Sequence, residues 1–305
     1  MEISVVISTQ NRAQLLRDAI ASVLGSPLIR SAEQVVVVDD DSHDQTEEVA
    51  REHGVKYVRV DCHSISGCRN AGLSLAQTKY VTFLDDDDVW LPGNMEKQLN
   101  ALKAHPNAAF AYGIGRCASA DLEPLTWTFP SPPLASGIDP ERLHLGYPNV
   151  GVVLFRRDAV TEIGGFDPHV IYYQDSDLMI RLAARHEIVG VQFIGMLYRL
   201  RRPSRTRANY HWANRQVINW RPKRVGVGWK AAAGFMLKTR RLLYDIFLED
   251  ATVCASLGHR RDALLCLSRA IRVSPPHAIR HARSMAAIFW ACLGGRRLRS
   301  GAAAQ

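Results

Sequence analysis

The sequence predicts an α/β protein: a mostly parallel central sheet flanked by helices, followed by a helical C-terminal extension. Three observations support this. Runs rich in Val and Ile alternate with helix-like patterns over roughly the first 115 residues, which is typical of parallel βαβ units. Strand signals stop beyond about residue 205. The composition, 47% hydrophobic and 22% charged over 305 residues, is that of a soluble globular protein and excludes a disordered or collagen-like chain.

Predicted strands and helices alternate along the chain. Strands are expected at residues 3–8, 35–39, 55–60, 80–84, 108–114 and 150–155. Helices are expected at residues 12–24, 44–53, 66–77, 94–105 and 175–185. Asp44, with Glu47 three residues later, has the spacing of a capping box, so Asp44 is assigned to capping its helix. Five prolines between residues 120 and 140 restrict that segment to a loop or a short edge strand.

Charge divides the chain into an acidic body and a basic tail. Residues 1–195 hold 16 basic and 26 acidic side chains, whereas residues 196–305 hold 22 basic and 4 acidic side chains. We expect one domain over residues 1–204 and a basic helical region over residues 205–305. Residues 247–275 have the spacing of one tetratricopeptide-like helix pair, which is expected to pack on the main domain because a lone repeat cannot bury its own faces.

The cysteines and the apolar segments indicate the compartment. The six cysteines show no C-x-x-C spacing, so neither a zinc site nor a disulfide framework is indicated. The N-terminus lacks the features of a secretory signal. The apolar stretch at residues 285–295 is too short to span a bilayer and is either a buried helix or an interfacial segment. We therefore expect a cytoplasmic protein, with peripheral attachment at the inner face of the membrane as an option.

Acidic clusters lie at the ends of predicted strands and at a helix start. They are Asp39–Asp41, Asp85–Asp88, and Asp175 with Asp177. Ligands of open parallel sheets bind outside the carboxyl ends of the strands, so these clusters are expected to face one crevice. Neighbouring carboxylates repel one another unless a cation offsets their charge, and such oxygen ligands suit Mg²⁺ or Mn²⁺. Solvated turns are the alternative for the clusters, and capping of the following helix is the alternative for Asp88.

Five segments together carry a family resemblance. They are ISTQNRAQLLRDAIASVL, VVVVDDDSHDQT, CRNAGLSLAQTKYVTFLDDDDVWLPG, VLFRRDAVTEIGGFD and YYQDSDLMIRLA, in this order within about the first 200 residues. In order and spacing they resemble the inverting glycosyltransferases of family 2, which have the GT-A fold. The resemblance implies transfer of a sugar from a nucleoside-diphosphate sugar, with a UDP- or dTDP-linked donor favoured, to a hydroxyl of a glycan or lipid-linked acceptor. It also implies Mg²⁺ or Mn²⁺ as cofactor.

The same resemblance implies the donor-site residues. Those matching the family's nucleotide-sugar-binding positions are Thr9, Asn11, Arg12, Asp39, Asp40, Arg69, Asn70, Asp85 and Asp86. Asp85-Asp86-Asp87 overlays the DxD motif, which makes Asp87 the direct metal ligand and places Asp85 near the ribose or the metal. Gln10 stands where the family often has Tyr, so stacking at that edge of the site is expected to differ.

The resemblance also implies the catalytic base. Inverting transfer needs a carboxylate that accepts the proton of the attacking hydroxyl, and Asp175 aligns with the acid of this role. The Glu that usually precedes it is Gln174 here, which leaves the choice between Asp175 and Asp177 open. For Asp177 the alternative is an acid in the first turn of its helix. The glycines of Gly164–Asp167, a turn that the family places beside the acceptor, indicate positive φ or close backbone approach.

The basic tail permits several uses. Its densest part holds Arg199, Arg201, Arg202, Arg205, Arg207, Arg215, Arg221, Lys223 and Arg224. An anionic membrane surface, closure over the donor diphosphate and a solvated basic face remain alternatives, whereas nucleic acid is disfavoured because no nucleic-acid-binding motif accompanies these residues. Residues 216–220, QVINW, resemble the QxxRW motif of processive polymerases, but Asn219 replaces its Arg, so we expect single transfers.

Two rival functions use the same acidic crevice. A non-catalytic nucleotide-sugar-binding or assembly protein would bind the donor without transferring the sugar, and Gln10 and Gln174 are compatible with it. A nucleotidyltransferase is disfavoured, because no glycine-rich basic loop follows the first strand.

Overall fold

The computed structural model describes residues 2–129, 148–171 and 174–200 and, further along the chain, residues 244, 248, 251, 252, 254, 255 and 260–292. The chain divides into two compact units, Met1–Val225 and Gly226–Gln305. Both this boundary and the predicted one at residue 204 fall outside the described residues, so the division at 204 stays a prediction. Residues 216–220 and the rest of the dense basic stretch beyond Arg199 also lie outside them.

The N-terminal unit is built from alternating strands and helices. Its strands are β1 (Ile3–Thr9), β2 (Val35–Asp40), β3 (Lys56–Val60), β4 (Tyr80–Asp85), β5 (Val89–Trp90), β6 (Ala108–Ala118), β7 (Pro124–Phe129), β8 (Val153–Arg156) and β9 (Glu187–Arg199). Its helices are α1 (Ala13–Leu24), α2 (Thr46–Glu52), α3 (Ile65–Leu75), α4 (Asn94–Ala104), α5 (Arg157–Glu162) and α6 (Gln174–Ala183). The predicted strands and helices are therefore confirmed as to type, with ends shifted by a few residues.

One mixed sheet joins these strands. Its order is β3-β2-β1-β4-β8-β6-β9-β5, and β7 pairs with β6. Strand β1 runs parallel to β2 and β4, with Thr9 opposite Asp39 and Ser8 opposite Asp85. The carboxyl ends of β1, β2 and β4 therefore meet at one edge of the sheet, as the sequence predicts. Of the five prolines only Pro124 is described, and it begins β7, which pairs with β6 as a short edge strand.

The central strands are buried on both faces. Val35 and Val37 of β2 pack in one apolar cluster with Ile20 of α1, whereas Val36 and Val38 pack in another with Leu73 of α3. A strand covered on both faces needs a continuous apolar run rather than alternation, which explains the four consecutive valines. On the second face Gly72 of α3 lets the helix approach closely, because a Cβ there would lie 2.2 Å from Cγ1 of Val6.

The parallel alternation ends sooner than predicted. Strand β6 pairs antiparallel with β8 and parallel with β9, so it does not continue the parallel series. Two further strands are not predicted from the sequence: β9, the longest strand described, and its antiparallel partner β5. Glycines at 190 and 195 interrupt the β9 sequence, and glycine inside a strand weakens the pattern by which strands are predicted.

The start of α2 confirms one part of the capping prediction and corrects another. Asp44 accepts hydrogen bonds from the backbone N–H groups of Thr46, at 3.1 Å, and Ala13, at 2.9 Å, so it serves the first turns of both α1 and α2. The residue at the N-cap is Gln45, which makes no side-chain capping bond. Glu47 pairs with Arg51 instead, so the capping box is wrong.

The C-terminal unit is helical where it is described. Its helices α7 (Arg260–Val273), α8 (Pro275–Arg280) and α9 (Ala282–Cys292) follow one another closely. In α9 Met285 and Ile288 are buried, while Phe289 and Trp290 are 48% and 62% exposed. The apolar stretch predicted there thus has one buried and one exposed face. Within the described parts of the chain, no helix has the length and apolar character needed to cross a membrane. Most of the first tetratricopeptide-like helix lies outside the described residues.

Candidate active site

The four aspartates Asp85–Asp88, at the end of β4 and directly after it, alternate in exposure. The side chains of Asp85 and Asp87 are 26% and 19% exposed, whereas Asp86 and Asp88 are buried at 2% and 0%. Asp86 and Asp87 lie in a turn, which is closed by a hydrogen bond from the backbone N–H of Asp88 to the carbonyl oxygen of Asp85 at 3.2 Å. The carboxylates of Asp85 and Asp87 are thus accessible at the sheet edge, whereas those of Asp86 and Asp88 are buried.

Asp86 connects β1 to β4. Its two oxygens accept hydrogen bonds from Oγ1 of Thr9, at 2.7 Å, and Nη1 of Arg12, at 2.8 Å. Burial raises the pKa of Asp86 to about 6, against the lowering effect of the Arg12 charge. Arg12 also lies 3.6 Å from Asp87. Since both oxygens of Asp86 are bonded within the protein, this residue is suited to shaping the donor site rather than to ligating a metal.

Asp88 does not cap the next helix. The N-cap of α4 is Gly93, which makes no side-chain capping bond, so the capping alternative for Asp88 is wrong. Instead Asp88 accepts a hydrogen bond from the backbone N–H of Arg199, at 3.0 Å. Burial, and then the charges of Asp87 and Asp85, raise the pKa of Asp88 well above its ordinary value.

Arg199, the first residue of the dense basic stretch, is a further functional candidate. It is only 7% exposed at the end of β9, so a solvated face is not its role. Its guanidinium donates to the carbonyl oxygen of Asp87, at 2.9 Å, and to the carboxylate of Asp18, at 2.7 Å. No local sequence signal could reveal these contacts, because the partners lie 112 and 181 residues away along the chain.

Arg69 lies beside the exposed aspartates. It is buried in α3, donates from Nη2 to Oδ1 of Asp85 at 2.6 Å, and stacks over the ring of Phe166 at 5.3 Å. Its Nε and Nη1 are buried and have no hydrogen-bond partner among the described residues. Leaving buried donors unpaired is costly, and two such N–H groups next to Asp85 suit the oxygens of a phosphate or a ribose.

The two candidate bases lie in different surroundings at the start of α6. Asp175 is half-buried, and its pKa is raised by burial, with Arg69 lowering it and Asp85 raising it further. Asp177 is buried at 1% and pairs with Arg181 at 2.9 Å. Burial raises the pKa of Asp177 to about 6, despite the opposing charge of Arg181. The structure therefore places Asp175 within the field of the Arg69–Asp85 pair, while Asp177 faces the interior.

The turn Gly164–Asp167 is held by two side chains. Asn70 donates to the carbonyl oxygen of Phe166 at 2.8 Å and accepts from its N–H at 2.9 Å. Arg181 donates to the carbonyl oxygen of Gly165 at 2.6 Å. The prediction of positive φ is confirmed, with values of +80° at Gly164 and +69° at Gly165. A Cβ at Gly165 would lie 2.5 Å from Oδ1 of Asn70. Asn70 thus positions this turn, and its predicted contact with the nucleotide stays a prediction.

The loop after β1 is fastened to the loop after β2. Asn11 adopts φ of +52°, donates from its backbone N–H to Ser42 at 2.7 Å and accepts from the N–H of His43 at 2.8 Å. Gln10 donates to the carbonyl oxygen of Asp40 at 2.9 Å. Gln10, which stands where the family often has Tyr, therefore helps to hold these two loops together.

The carboxylates that end β2 are engaged within the protein. Asp39 accepts from the N–H of Ser42, at 3.0 Å, and from the hydroxyl of Tyr57, at 2.6 Å. Oδ1 of Asp40 accepts from the N–H groups of Cys62, at 2.9 Å, and His63, at 3.0 Å. The structure thus brings Asp39 and Asp40 to the same sheet edge as Thr9 and Asp85, where they order the loops around the crevice.

The partly exposed carboxylates at the end of β4 are suited to binding Mg²⁺ or Mn²⁺. Among the described residues, no group of three His, Cys, Asp or Glu side chains is arranged to enclose a metal ion. Mg²⁺ commonly takes only one or two carboxylates and completes its shell with water and substrate phosphates. Asp85 and Asp87, two partly exposed carboxylates at one strand end, meet that requirement, whereas Asp86 and Asp88 are turned inward.

Comparison with curated proteins gives matches to parts of longer sequences. The chain is 31% identical over 112 residues to "Minor teichoic acid biosynthesis protein GgaB" of Bacillus subtilis, covering 35% of this chain and 12% of that protein. It is 32% identical over 123 residues to "GalNAc(5)-diNAcBac-PP-undecaprenol beta-1,3-glucosyltransferase" of Campylobacter jejuni, covering 38% of each. The chain thus spans less than two thirds of the length of these relatives.

Solved structures resemble the whole fold. S. aureus TarS (residues 1–349) superposes with a TM-score of 0.59 at 15% identity, covering 98% of this chain and 93% of that one. Mannosyltransferase PcManGT from Pyrobaculum calidifontis, in complex with GDP-Man and Mn²⁺, gives 0.57 at 15% identity, covering 95% and 86%. These similarities confirm the predicted GT-A α/β fold.

A family comparison agrees with the ordered motifs. The profile described as "Glycosyl transferase family 2" matches residues 4–164, more than half of the chain. The match begins in β1 and ends at Gly164, so it includes Arg69, Asn70 and the four aspartates Asp85–Asp88, which we call the acidic turn. The chain belongs to glycosyl transferase family 2.

Proposed function

We propose that this chain is a metal-dependent inverting glycosyltransferase that moves a hexosyl unit from a nucleoside-diphosphate sugar to a hydroxyl group. The observation that carries the proposal is that Asp85 and Asp87 lie at the carboxyl end of β4 with Arg69 bonded to Asp85, while the pKa of Asp175 at the start of α6 responds to the charges of Arg69 and Asp85. Asp85 and Asp87 offer partly exposed carboxylate oxygens, and Arg69 offers a buried guanidinium with unpaired N–H groups. Asp175 is a carboxylate whose pKa is raised. Those are the parts needed to hold a diphosphate and to accept a proton from an attacking hydroxyl.

The donor nucleotide is proposed to lie where β1 and β2 end. Thr9 ends β1 and is followed by Asn11 and Arg12, and Asp39 and Asp40 end β2, so both groups border the same crevice. The solved structures support such a ligand, since TarS has been determined with UDP-GlcNAc and PcManGT with GDP-Man. For this chain a UDP- or dTDP-linked sugar is proposed, because an acidic side chain can accept a hydrogen bond from the ring N–H of uracil or thymine.

Asp87 and Asp85 are the residues that would hold Mg²⁺ or Mn²⁺. When bound, the cation would offset the negative charge that grows on the departing nucleoside diphosphate. Arg69 is fixed by Asp85 on one side and Phe166 on the other, and its unpaired N–H groups would bind donor oxygens. The protein therefore offers a preorganised positive group whose charge is already desolvated, so it needs little rearrangement during the reaction.

Asp175 is the proposed base. In the proposed step the acceptor oxygen forms a bond to the anomeric carbon from the face opposite the diphosphate. The bond between that carbon and the diphosphate breaks, and Asp175 takes the hydroxyl proton. Direct displacement of this kind inverts the anomeric configuration. Asp177 is the less suitable base because it is buried and paired with Arg181. The turn at Gly164–Asp167, held by Asn70 and Arg181, is proposed to border the acceptor.

The acceptor is proposed to be a glycan or a lipid-linked glycan of the cell envelope, reached from the cytosolic face of the membrane. Support comes from the relatives, whose names refer to teichoic acid biosynthesis and to a diphospho-undecaprenol-linked acceptor. The exposed face of α9 and the arginines of α7 to α9 are compatible with peripheral attachment.

Nucleotide binding and product analysis test the proposed function. Thermal unfolding of the full chain should be measured with UDP-, dTDP- and GDP-sugars, each with and without Mn²⁺. At least one donor is expected to raise the melting temperature, and more so with Mn²⁺, because a ligand that binds only the folded state stabilises it. Transfer should yield a product with inverted anomeric configuration by NMR. Retention of configuration would contradict the proposal, and binding without transfer to any acceptor would favour a non-catalytic nucleotide-sugar-binding protein.

Membrane attachment is tested with vesicles. The sequences of α7 to α9 hold six arginines and a single aspartate, and Trp side chains prefer the membrane interface. The full chain is expected to sediment with phosphatidylglycerol-containing vesicles and to be released as salt rises, since screening weakens attraction between exposed charges. Replacing both Phe289 and Trp290 with Ala should weaken binding further. Absence of binding at low salt would contradict peripheral attachment.

A further inference from the structure

Arg199 joins separate parts of the N-terminal unit. Its guanidinium donates from Nε to the carbonyl oxygen of Asp87 at 2.9 Å, from Nη1 to the carbonyl oxygen of Ala120 at 2.7 Å, and from Nη2 to Oδ2 of Asp18 at 2.7 Å. These partners belong to the acidic turn, the segment between β6 and β7, and α1. Each guanidinium nitrogen of one buried side chain thus bonds a different segment of the chain.

The acidic turn is bound by Arg199 at two consecutive residues. The side chain of Arg199 binds the carbonyl of Asp87, and its backbone N–H binds the carboxylate of Asp88 at 3.0 Å. The following strand β5 pairs with β9, with Val89 opposite Leu197. The main chain on the carboxyl side of Asp87 is therefore held by the end of β9. On the amino side it is held by β4, which pairs with β1.

We propose that Arg199 is a positioning residue that aims the Asp87 carboxylate at the divalent cation, an inference that rests on the proposed function. Arg199 itself does not touch the cation or the donor. By fixing the carbonyl of Asp87 and the side chain of Asp88, it restricts the rotation of the peptide that follows Asp87. A ligand already held in its binding direction loses less conformational freedom when the metal binds, so the affinity for the metal is higher.

The chemistry of this position requires a guanidinium. Its planar fork offers donors in fixed directions, whereas a lysine ammonium is a compact charge that cannot reach three separate acceptors at once. Asp18 supplies the counter-charge, and its side chain is 45% exposed while that of Arg199 is 6% exposed. Replacing Asp18 leaves the two carbonyl contacts of Arg199 in place, so its effect should be smaller than the effect of replacing Arg199.

The test is direct Mn²⁺ binding. Free Mn²⁺ is measured by its electron paramagnetic resonance signal while the full chain is titrated in the presence of UDP. Arg199→Gln is expected to raise the half-saturating Mn²⁺ concentration by about tenfold or more, as does loss of a supporting residue around a metal ligand. Arg199→Lys and Asp18→Asn should give intermediate increases. The affinity for UDP without metal should be unchanged in all three variants.

Arg156 provides the matched control. It too is an arginine that holds backbone carbonyls, of Ala108 and Leu102, both at 2.8 Å. It lies opposite Tyr80, at the other end of β4 from Asp85. Arg156→Gln should lower the melting temperature without changing Mn²⁺ binding. If the Arg199 variants lose stability but bind Mn²⁺ as the wild type does, the role of Arg199 is overturned. If the wild type itself binds no Mn²⁺ with UDP, the proposed metal dependence fails instead.

Discussion

Asp175→Asn is expected to lower the rate of sugar transfer by about 1000-fold while donor binding stays unchanged. Loss of a positioned base typically costs between about 100-fold and 10,000-fold in rate, and an amide cannot take the hydroxyl proton at neutral pH. Asparagine keeps the size of the side chain, so the Arg69–Asp85 pair beside it should remain. Single-turnover rates and donor affinity measured by calorimetry would separate the two effects. Full activity in this variant would place the base elsewhere.

Asp177→Asn is the matched comparison, since it removes the same charge two residues away. Its amide oxygen can still accept the hydrogen bond from Arg181, so the transfer rate should fall by less than about tenfold. The pH profile adds a second expectation. Burial raises the pKa of Asp175, and a base must be ionised to accept a proton, so activity should decline with falling pH at a higher pH than for an ordinary aspartate. A loss of transfer of about 1000-fold in Asp177→Asn, with near-normal transfer in Asp175→Asn, would assign the base to Asp177.

Asp87→Asn is expected to abolish the Mn²⁺ dependence of donor binding and to lower transfer by about 1000-fold. The reason is the loss of a partly exposed carboxylate that would offer a charged oxygen to the cation, and charge stabilisation by a metal contributes several kcal/mol to the transition state. The fold should persist, because the side chain is partly exposed. Transfer rates and Mn²⁺ titrations of the melting temperature would show both effects.

The control for Asp87→Asn is Asp158→Asn, which removes the same charge at an exposed position of α5. It should leave the Mn²⁺ response and the transfer rate unchanged. Asp87→Asn with a normal metal response would remove Asp87 from the proposed ligands, and the cation would then have to be sought at Asp85 or elsewhere.

Local patterns predicted the first half of the fold well. Strands β1, β2 and β4 are largely apolar runs, and β3 is a partly exposed edge strand with two charged residues. All four are separated by helices of ordinary length, so their order and their shared carboxyl edge follow from short-range rules. The acidic turn and Asp175 were identifiable for a related reason. Each lies at or near the end of a regular element, and the family motifs that contain them are contiguous in sequence.

Contacts between residues that are distant in sequence could not be predicted from local patterns. The glycine-interrupted strand β9 gave no clear pattern, and its end residue Arg199 looked like the first member of a basic stretch. Its burial arises only when β9 pairs with β5 and β6. Likewise Asn70 matches a nucleotide-binding position by resemblance, yet both hydrogen bonds of its side chain go to Phe166, 96 residues away.

The sequence by itself determined the α/β class, the sheet edge that carries the site and the residue types available there, because hydrophobic periodicity and motif spacing are local properties. The tertiary structure decided how those residues are used. It turned Asp86 and Asp88 inward while leaving Asp85 and Asp87 partly exposed, distinguished Asp175 from the paired Asp177, and brought Arg199 to the acidic turn. The physical reason is that the burial of a side chain and its hydrogen-bond partners depend on which distant segments meet. Burial and partners in turn decide whether a carboxylate supports the fold or remains available to a ligand.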